Sequence, residues 1–524
     1  MRFFRILMIV VLVGPLYGQT DSTIQRIIKL GQTDNRTIQW LDELTNRIGG
    51  RPIGSSNYAA AVNYAVMRFK EWGLKVYLDS VTTLPIGFNR GPAYGRLLSE
   101  NGMILHFATP SFTVGTKGVQ RGHVLIEPKT QREFDRMKGA LKGAWVLISG
   151  KNNGWPIDYS ESGNQKRMEV RQKNAEIEKQ NDEIRRYNWQ HRHDGQTKEL
   201  LPMIEEPALF YPEMVEAGIL GVIQASEVPI VAMYDRKNIM NMSWDNLPKV
   251  PNILLDEHQY AIIEKMAKER RYFQLEFDIR NQFHPGPVTV YSVIGVIQGN
   301  ENPDEYVLVG GHLDSYDIAT GASDNAAGVA PAMEAARLIM LSGAKPRRTI
   351  LFTLWAGEEF GLLGSTAWVI KNKEKLPNIS AMFNHDSGPT VETSISVPEA
   401  MYNDFQAICE PLFQLNPQFP FRVNKSEPTE KPKSPGGTDT APFIKEDVPA
   451  FGFGTDDILG TNFSYREIWH TERDTFEKCV KEYSDQTAIV TAVVVFGVAN
   501  LDHLLSREGM WKAAQPPTSD KKTK

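Results

Sequence analysis

Five carboxylates and two imidazoles in the second half of the chain could do chemistry together: His312 and Asp314 in GGHLDS, Asp324 in GASDNAAG, Glu358 and Glu359 in LWAGEEFGLLGS, Asp386 in NHDSG and His470 in WHTERDT. Gathered without a counter-ion, the carboxylates would repel one another and their pKa values would rise. A divalent cation relieves that repulsion, and two relieve it better. Zinc accepts imidazole nitrogen and carboxylate oxygen at ~2.0–2.2 Å. One carboxylate can bridge two zincs ~3.5–4 Å apart, an arrangement suited to hydrolysis. Taken singly, each residue has a plainer reading: Asp324 as a helix cap, His470 as an exposed ring, the glutamate pair as surface charge. The case rests on their joint occurrence. With only Cys409 and Cys479 in the sequence, a cysteine-rich zinc site is excluded, and no disulfide framework is defined.

The elements that must position these groups follow from the apolar pattern. From 288 to about 505, strands and helices alternate. VTVYSVIGVIQG, EYVLVGGHLDS, RTILFTLWAG, ISAMFNHDSG and VPAFGFG read as strands. NAAGVAPAMEAARLIMLSG, EEFGLLGSTAWVIKN, MYNDFQAICEPLFQL and 484–504 read as helices. That predicts an α/β fold with helices on both faces of a sheet. Sites in such folds lie at the carboxyl ends of strands, where His312, Glu358, Glu359 and Asp386 all fall. His470 lies in the loop before the last helix. The N-terminal part reads as helix, turn (RPIGSS), helix, strand. Between about 96 and 285 short strands alternate with turns, and no cluster of metal ligands is found. Within that stretch, 164–194 is dense in charges of both signs, which predicts an exposed helix supported by i,i+4 pairs. The His191–His193 tract reads as part of its solvated face.

Five motifs in order (GGHLDS, GASDNAAGVA, WAGEEFGLLGS, NHDSG and WHTERDT) resemble the co-catalytic dizinc exopeptidases, the group of leucyl-type aminopeptidases, carboxypeptidase Q and glutamate carboxypeptidase II. The resemblance covers GGRPIGSS and 288–504. It implies a three-layer α/β/α domain with a mixed central sheet, and it implies that the β-rich segment 96–285 is an inserted protease-associated domain. It also implies two zinc ions. His312 and Asp386 would hold one, Glu359 and His470 the other, and Asp324 would bridge them. Glu358 would be the general base toward a zinc-activated water, and Asp314 would orient the His312 imidazole. The Asp324–Asn325 peptide would be cis. Relatives carry an oxyanion-steadying tyrosine in a loop that here reads SPGGTDTAPF. Tyr465 is the substitute candidate, and Trp469 would wall the substrate pocket.

These residues predict a metallo-exopeptidase acting at the N-terminus of peptides or on dipeptides. The alternative is a carboxypeptidase of the carboxypeptidase Q or glutamate carboxypeptidase type, with Arg466 and Lys433 as candidates to hold a substrate carboxylate. Glutaminyl cyclisation on one zinc, or a non-catalytic receptor-like role, fits less well, because the full ligand set is present. Peptides are the expected partners. The net charge of −5 argues against nucleic acid or an anionic membrane, and a homodimer is left open. Residues 1–18 have the basic start, short apolar core and Gly-Pro break of a signal peptide, which predicts export to the periplasm or medium. The two parts of the catalytic domain would be 19–95 and 286–508, and 509–524 would be a disordered tail.

Overall fold

The computed structural model describes residues 17–99, 102–432, 436–461 and 463–512. The signal-peptide segment and the end of the tail lie largely outside them. A six-stranded mixed sheet forms the centre, in the spatial order Lys75–Asn89, Gln282–Ile297, Arg348–Trp355, Asn302–His312, Ile379–Asn384, Ala450–Gly452. The last four run parallel to one another, and the first two pair antiparallel.

Side-chain alternation along these strands separates two cores. Leu308, Leu351, Trp355 and Met382 face one way, against Trp368 and Phe443 of the helices Leu363–Lys371 and Thr440–Lys445. Val307, Val309, Phe352, Leu354 and Phe383 face the other way, against Ala327–Leu341 and Lys481–Asn500. Helices thus cover both faces, giving three layers. Lys481–Asn500 is buried almost all round from Tyr483 to Ala499, as suits a helix inside the core rather than on its surface. The N-terminal helix Ser56–Glu71 starts where Ser55 accepts the Tyr58 N–H.

A second, seven-stranded sheet is built from residues 93–279. The chain leaves and rejoins the central sheet along one ribbon, Lys75–Asn89 paired with Gln282–Ile297. Asn89 lies opposite Gln282 at its far end, so the two ends of the intervening segment are neighbours. The charged stretch forms the helix Glu161–Gln190. Its support differs from the sequence expectation. No i,i+4 ion pair is present within it among the described residues. Asp182 instead pairs with Arg132 and Arg185, and Lys166 with Glu206. The extended segment after the helix folds back along it. Asn174, Asn181 and Asn188 each donate to and accept from one backbone unit, at Ile204, Leu201 and Lys198. The seven-residue spacing of these asparagines was visible in the sequence, but nothing there said that the segment after the helix would fold back along them.

Residues 509–512, expected in the free tail, are tied down. Trp511 donates to Asp447 and Lys512 N–H to Thr429. Cys409 and Cys479 are both free thiols. No described helix is long and apolar enough to cross a membrane.

Candidate metal centre

Three neighbouring parallel strands deliver the ligand candidates. His312 is the last residue of Asn302–His312. Glu358 and Glu359 follow Arg348–Trp355 by three and four residues, and Asp386 follows Ile379–Asn384 by two. The two glutamates sit in a turn, not in the helix expected from EEFGLLGS; the helix begins at Leu363. Glu358 O accepts the N–H groups of Gly361 and Leu362. Gly357 (φ 70°) and Gly361 (φ 96°) take left-handed conformations that a side chain would resist. Asp324 comes from the loop before Ala327–Leu341, and the Asp324–Asn325 peptide is cis.

The groups converge. His312 Nε2 lies 3.1 Å from Asp324 Oδ1 and 3.4 Å from Asp386 Oδ1. His470 Nε2 lies 3.3 Å from Asp324 Oδ2 and 3.0 Å from Glu359 Oε2. Two triads result, His312–Asp324–Asp386 and Asp324–Glu359–His470, each with its ligand atoms within 4.8 Å of one another. Asp324 belongs to both, one oxygen toward each histidine. Glu358 belongs to neither.

Charge in this site is poorly compensated by the protein alone. Burial pushes Glu358 up to about 10, with His312 opposing the rise and Asp439, Glu359 and Asp386 adding to it. Burial, then the charge of Asp324, raises Glu359 to about 7. Burial also works against Asp324, but hydrogen bonds from His312 and His470 hold it below the usual range. Burial would lower His470, yet Glu359 and Asp324 lift it to about 9. Among the described residues, the second carboxylate oxygen of Glu359, Oε1, and the second ring nitrogen of His470, Nδ1, are buried without a hydrogen-bond partner. An orphaned carboxylate oxygen in an all-nitrogen-and-oxygen cluster is what a site for divalent cations leaves. The residues present fit two zinc ions.

Asp314 does something other than expected. The His312 Nδ1 partner is the Asp314 backbone carbonyl at 2.9 Å, while the Asp314 carboxylate is 3.7 Å from that nitrogen. The carboxylate accepts from the N–H groups of Gly357 (2.8 Å), Glu358 (3.2 Å) and Glu359 (3.3 Å). It therefore fixes the turn carrying the glutamate pair, because three backbone donors converge on it.

Several supports were missed from sequence. Buried Asp474 accepts from Ser323 N–H at 2.5 Å and Asp324 N–H at 3.2 Å, tying the His470 loop to the bridging residue. It lies four residues after His470 in a motif already singled out, so WHTERDT held the signal. Thr438 donates to Asp386 Oδ2 at 2.5 Å, and Ser365 to buried Asp439 at 2.5 Å. Thr438 and Asp439 come from the SPGGTDTAPF loop, noted only for lacking a tyrosine. Arg51, in GGRPIGSS, is buried and donates to the carbonyls of Leu313, Thr320 and Gly321, closing the loop after His312.

On the open side, Trp469 stacks on His470 (centroids 3.8 Å apart) and Tyr465 on Trp469 (5.6 Å). Burial raises Tyr465 to about 12, followed by the charges of Asp324, Asp386, Glu359 and Glu358, so its hydroxyl feels the cluster. Arg466 is exposed, and Lys433 lies outside the described residues. His191 stacks on Tyr187, far in sequence from any ligand, and the HRH tract joins no metal group among the described residues.

Residues 292–495 match the family model described as Peptidase family M28. Among curated proteins, carboxypeptidase Q of Xenopus laevis is 24% identical over 506 residues, covering 94% of this chain and 92% of that one. Among solved structures, a Peptidase M28 precursor from Shewanella amazonensis aligns over 93% of this chain and 98% of its own, with TM-score 0.57 and 22% identity. A zinc aminopeptidase from Bacillus subtilis aligns over 91% and 98%, with TM-score 0.51 and 15% identity. These two share the fold.

Proposed function

We propose that this chain, an M28-family peptidase in its residues 292–495, is a two-zinc exopeptidase that releases the C-terminal residue of short peptides, dipeptides included. The similarity to carboxypeptidase Q along nearly the whole chain supports that direction over the N-terminal cleavage that the motifs suggested first. The observation that carries the reading is the division of the cluster: two triads share Asp324, and Glu358 stands outside both.

His312, Asp386 and one oxygen of Asp324 would hold one zinc; Glu359, His470 and the other oxygen would hold the second. When bound, the pair would polarise the scissile carbonyl and acidify an attacking water. Glu358 takes the proton of that water at its carboxylate and passes it to the leaving amine. Its pKa is raised by burial, with His312 opposing the rise and the acids Asp439, Glu359 and Asp386 adding to it. Asp314 holds Glu358 in place by capping the turn. The Tyr465 hydroxyl, on the open side, is the candidate donor to the developing oxyanion, and Trp469 walls the substrate. Export by residues 1–18, a protease-associated origin for the 93–279 sheet, and a homodimer belong to this proposal too.

A panel of free, N-blocked and C-amidated dipeptides tests it. Cleavage of free and N-blocked substrates, abolished by a chelator, is expected. Cleavage restricted to substrates with a free amine, amidated ones included, would return the assignment to an aminopeptidase.

A further inference from the structure

His470 stands apart among the ligand candidates. Its backbone is left-handed, φ 55°, a conformation that a side chain resists and that persists only where the surroundings enforce it. Those surroundings come in large part from the segment that carries the second sheet. Residues 470–472 run antiparallel to 230–232, bridged at Thr471 and Val231. Ala232 N–H donates to the His470 carbonyl at 3.4 Å, and Glu472 N–H to the Ile230 carbonyl at 3.0 Å. Glu472 Oε1 accepts the Ile230 N–H in return. The segment 230–233 is itself seated on the second sheet. Ile230 and Ala232 pack with Leu254 of the strand Asn252–Asp256, and Met233 N–H donates to the Gly154 carbonyl.

Tyr234 comes next in that segment, and its ring is buried. It touches two others, Tyr316 (centroids 4.6 Å apart) and Phe360 (4.3 Å). Tyr316 packs on the His470 ring at 4.1 Å, and Phe360 directly follows Glu359. One ring thus packs against the aromatic neighbours of Glu359 and His470, the two residues peculiar to the second triad. The Tyr234 hydroxyl has no hydrogen-bond partner among the described residues, so the ring itself is what Tyr234 contributes. The first triad is held differently. His312 ends a central strand, its Nδ1 bonds the Asp314 carbonyl, and Thr438 donates to Asp386. All of these residues lie outside 93–279.

We infer that Tyr234 is a positioning residue for the Glu359–His470 zinc, and that the second sheet makes that zinc the dependent one of the pair. The Tyr234 ring keeps Tyr316 against the imidazole and Phe360 in place after the glutamate turn. The left-handed His470 then presents its Nε2 to Glu359, 3.0 Å away. Removing the ring opens a cavity into which Tyr316 can relax, and the imidazole loses its backing. The inference rests on the two-zinc reading above.

The test is a competitive chelator titration that reads the two zinc steps separately, with a melting curve for each protein. Glu359→Gln identifies which step belongs to the Glu359–His470 zinc. Tyr234→Leu should weaken that step about 10–100-fold and leave the other unchanged. Tyr234→Phe should return the intact values, because the ring is kept. Phe277→Leu, the same truncation inside the second sheet's own core, should lower the melting temperature with both steps unchanged. The inference falls alone if Tyr234→Leu spares both steps or weakens both alike, if Tyr234→Phe does no better, or if Phe277→Leu weakens the same step as much. If Tyr234→Leu does not fold, Tyr316→Leu, which removes the ring packed on both Tyr234 and His470, decides on the same criterion. If the intact protein shows a single zinc step, the two-zinc reading itself falls.

Discussion

Two regions of this molecule are dense in charge, and they handle it in opposite ways. At the ends of the parallel strands, Asp314, Asp324, Glu358, Glu359 and Asp439 are largely or wholly removed from water, and three of them are pushed up to about 7 or beyond. Along Glu161–Gln190 the charges are mostly exposed and pair with neighbours, as Asp182 does with Arg132 and Arg185. Exposed pairs of that kind contribute ~0–1 kcal/mol. Buried carboxylates without a counter-charge cost far more. The sequence is at least as charged in the helix as at the strand ends, so charge density alone does not mark a site. Burial of several carboxylates together does.

The contrast breaks most visibly at the base. Glu358→Gln should lower kcat/KM by about 10³-fold, within the span of general-base effects, while a metal assay finds zinc unchanged. Next in size is Asp474, whose carboxylate holds the Ser323 and Asp324 N–H groups. Asp474→Ala should weaken zinc about 10–100-fold in a chelator competition and destabilise the fold by about 2 kcal/mol in denaturant titration. A side-chain truncation on the charged helix should do less. Asn181→Ala, which frees both backbone groups of Leu201, should cost about 1 kcal/mol and open 196–206 to proteases, with kcat/KM unchanged.

The smallest effect lies where the two sheets' segments meet. His106 Nε2 is 2.7 Å from Glu472 and its Nδ1 3.2 Å from Asp256. Burial lowers its pKa, but hydrogen bonds to Glu472 and Asp256 outweigh that and raise it above the ordinary 6.5. A raised folded-state value means that the stabilisation is complete below 6.5 and is lost as pH rises through the folded pKa. The ring is 43% exposed, so the term is about 0.5 kcal/mol. Melting curves of His106→Gln should therefore differ from the intact protein at pH 6 and converge at pH 9.

Much of the catalytic half was legible in advance. Strand periodicity gave the parallel core, and the strand ends gave the candidate ligands His312, Glu359 and Asp386, because topology alone sends those ends to one edge. Roles that depend on backbone geometry were not legible. Asp314 was expected on the His312 ring; it serves three backbone N–H groups instead, since the turn after Trp355 brings them within reach. Glu358 and Glu359 were read into a helix, but Gly357 and Gly361 hold them in a turn. Asp474 and Arg51 lay inside quoted motifs without a role, because each acts on a loop distant in sequence.

Zinc counted per chain in intact protein and in Glu358→Gln, by elemental analysis after dialysis against trace zinc, tests the central claim most directly. The division of the cluster into two ligand triads and a free base predicts two zincs per chain in both. A value near one in the intact protein, or a loss of zinc when only Glu358 is changed, would contradict it.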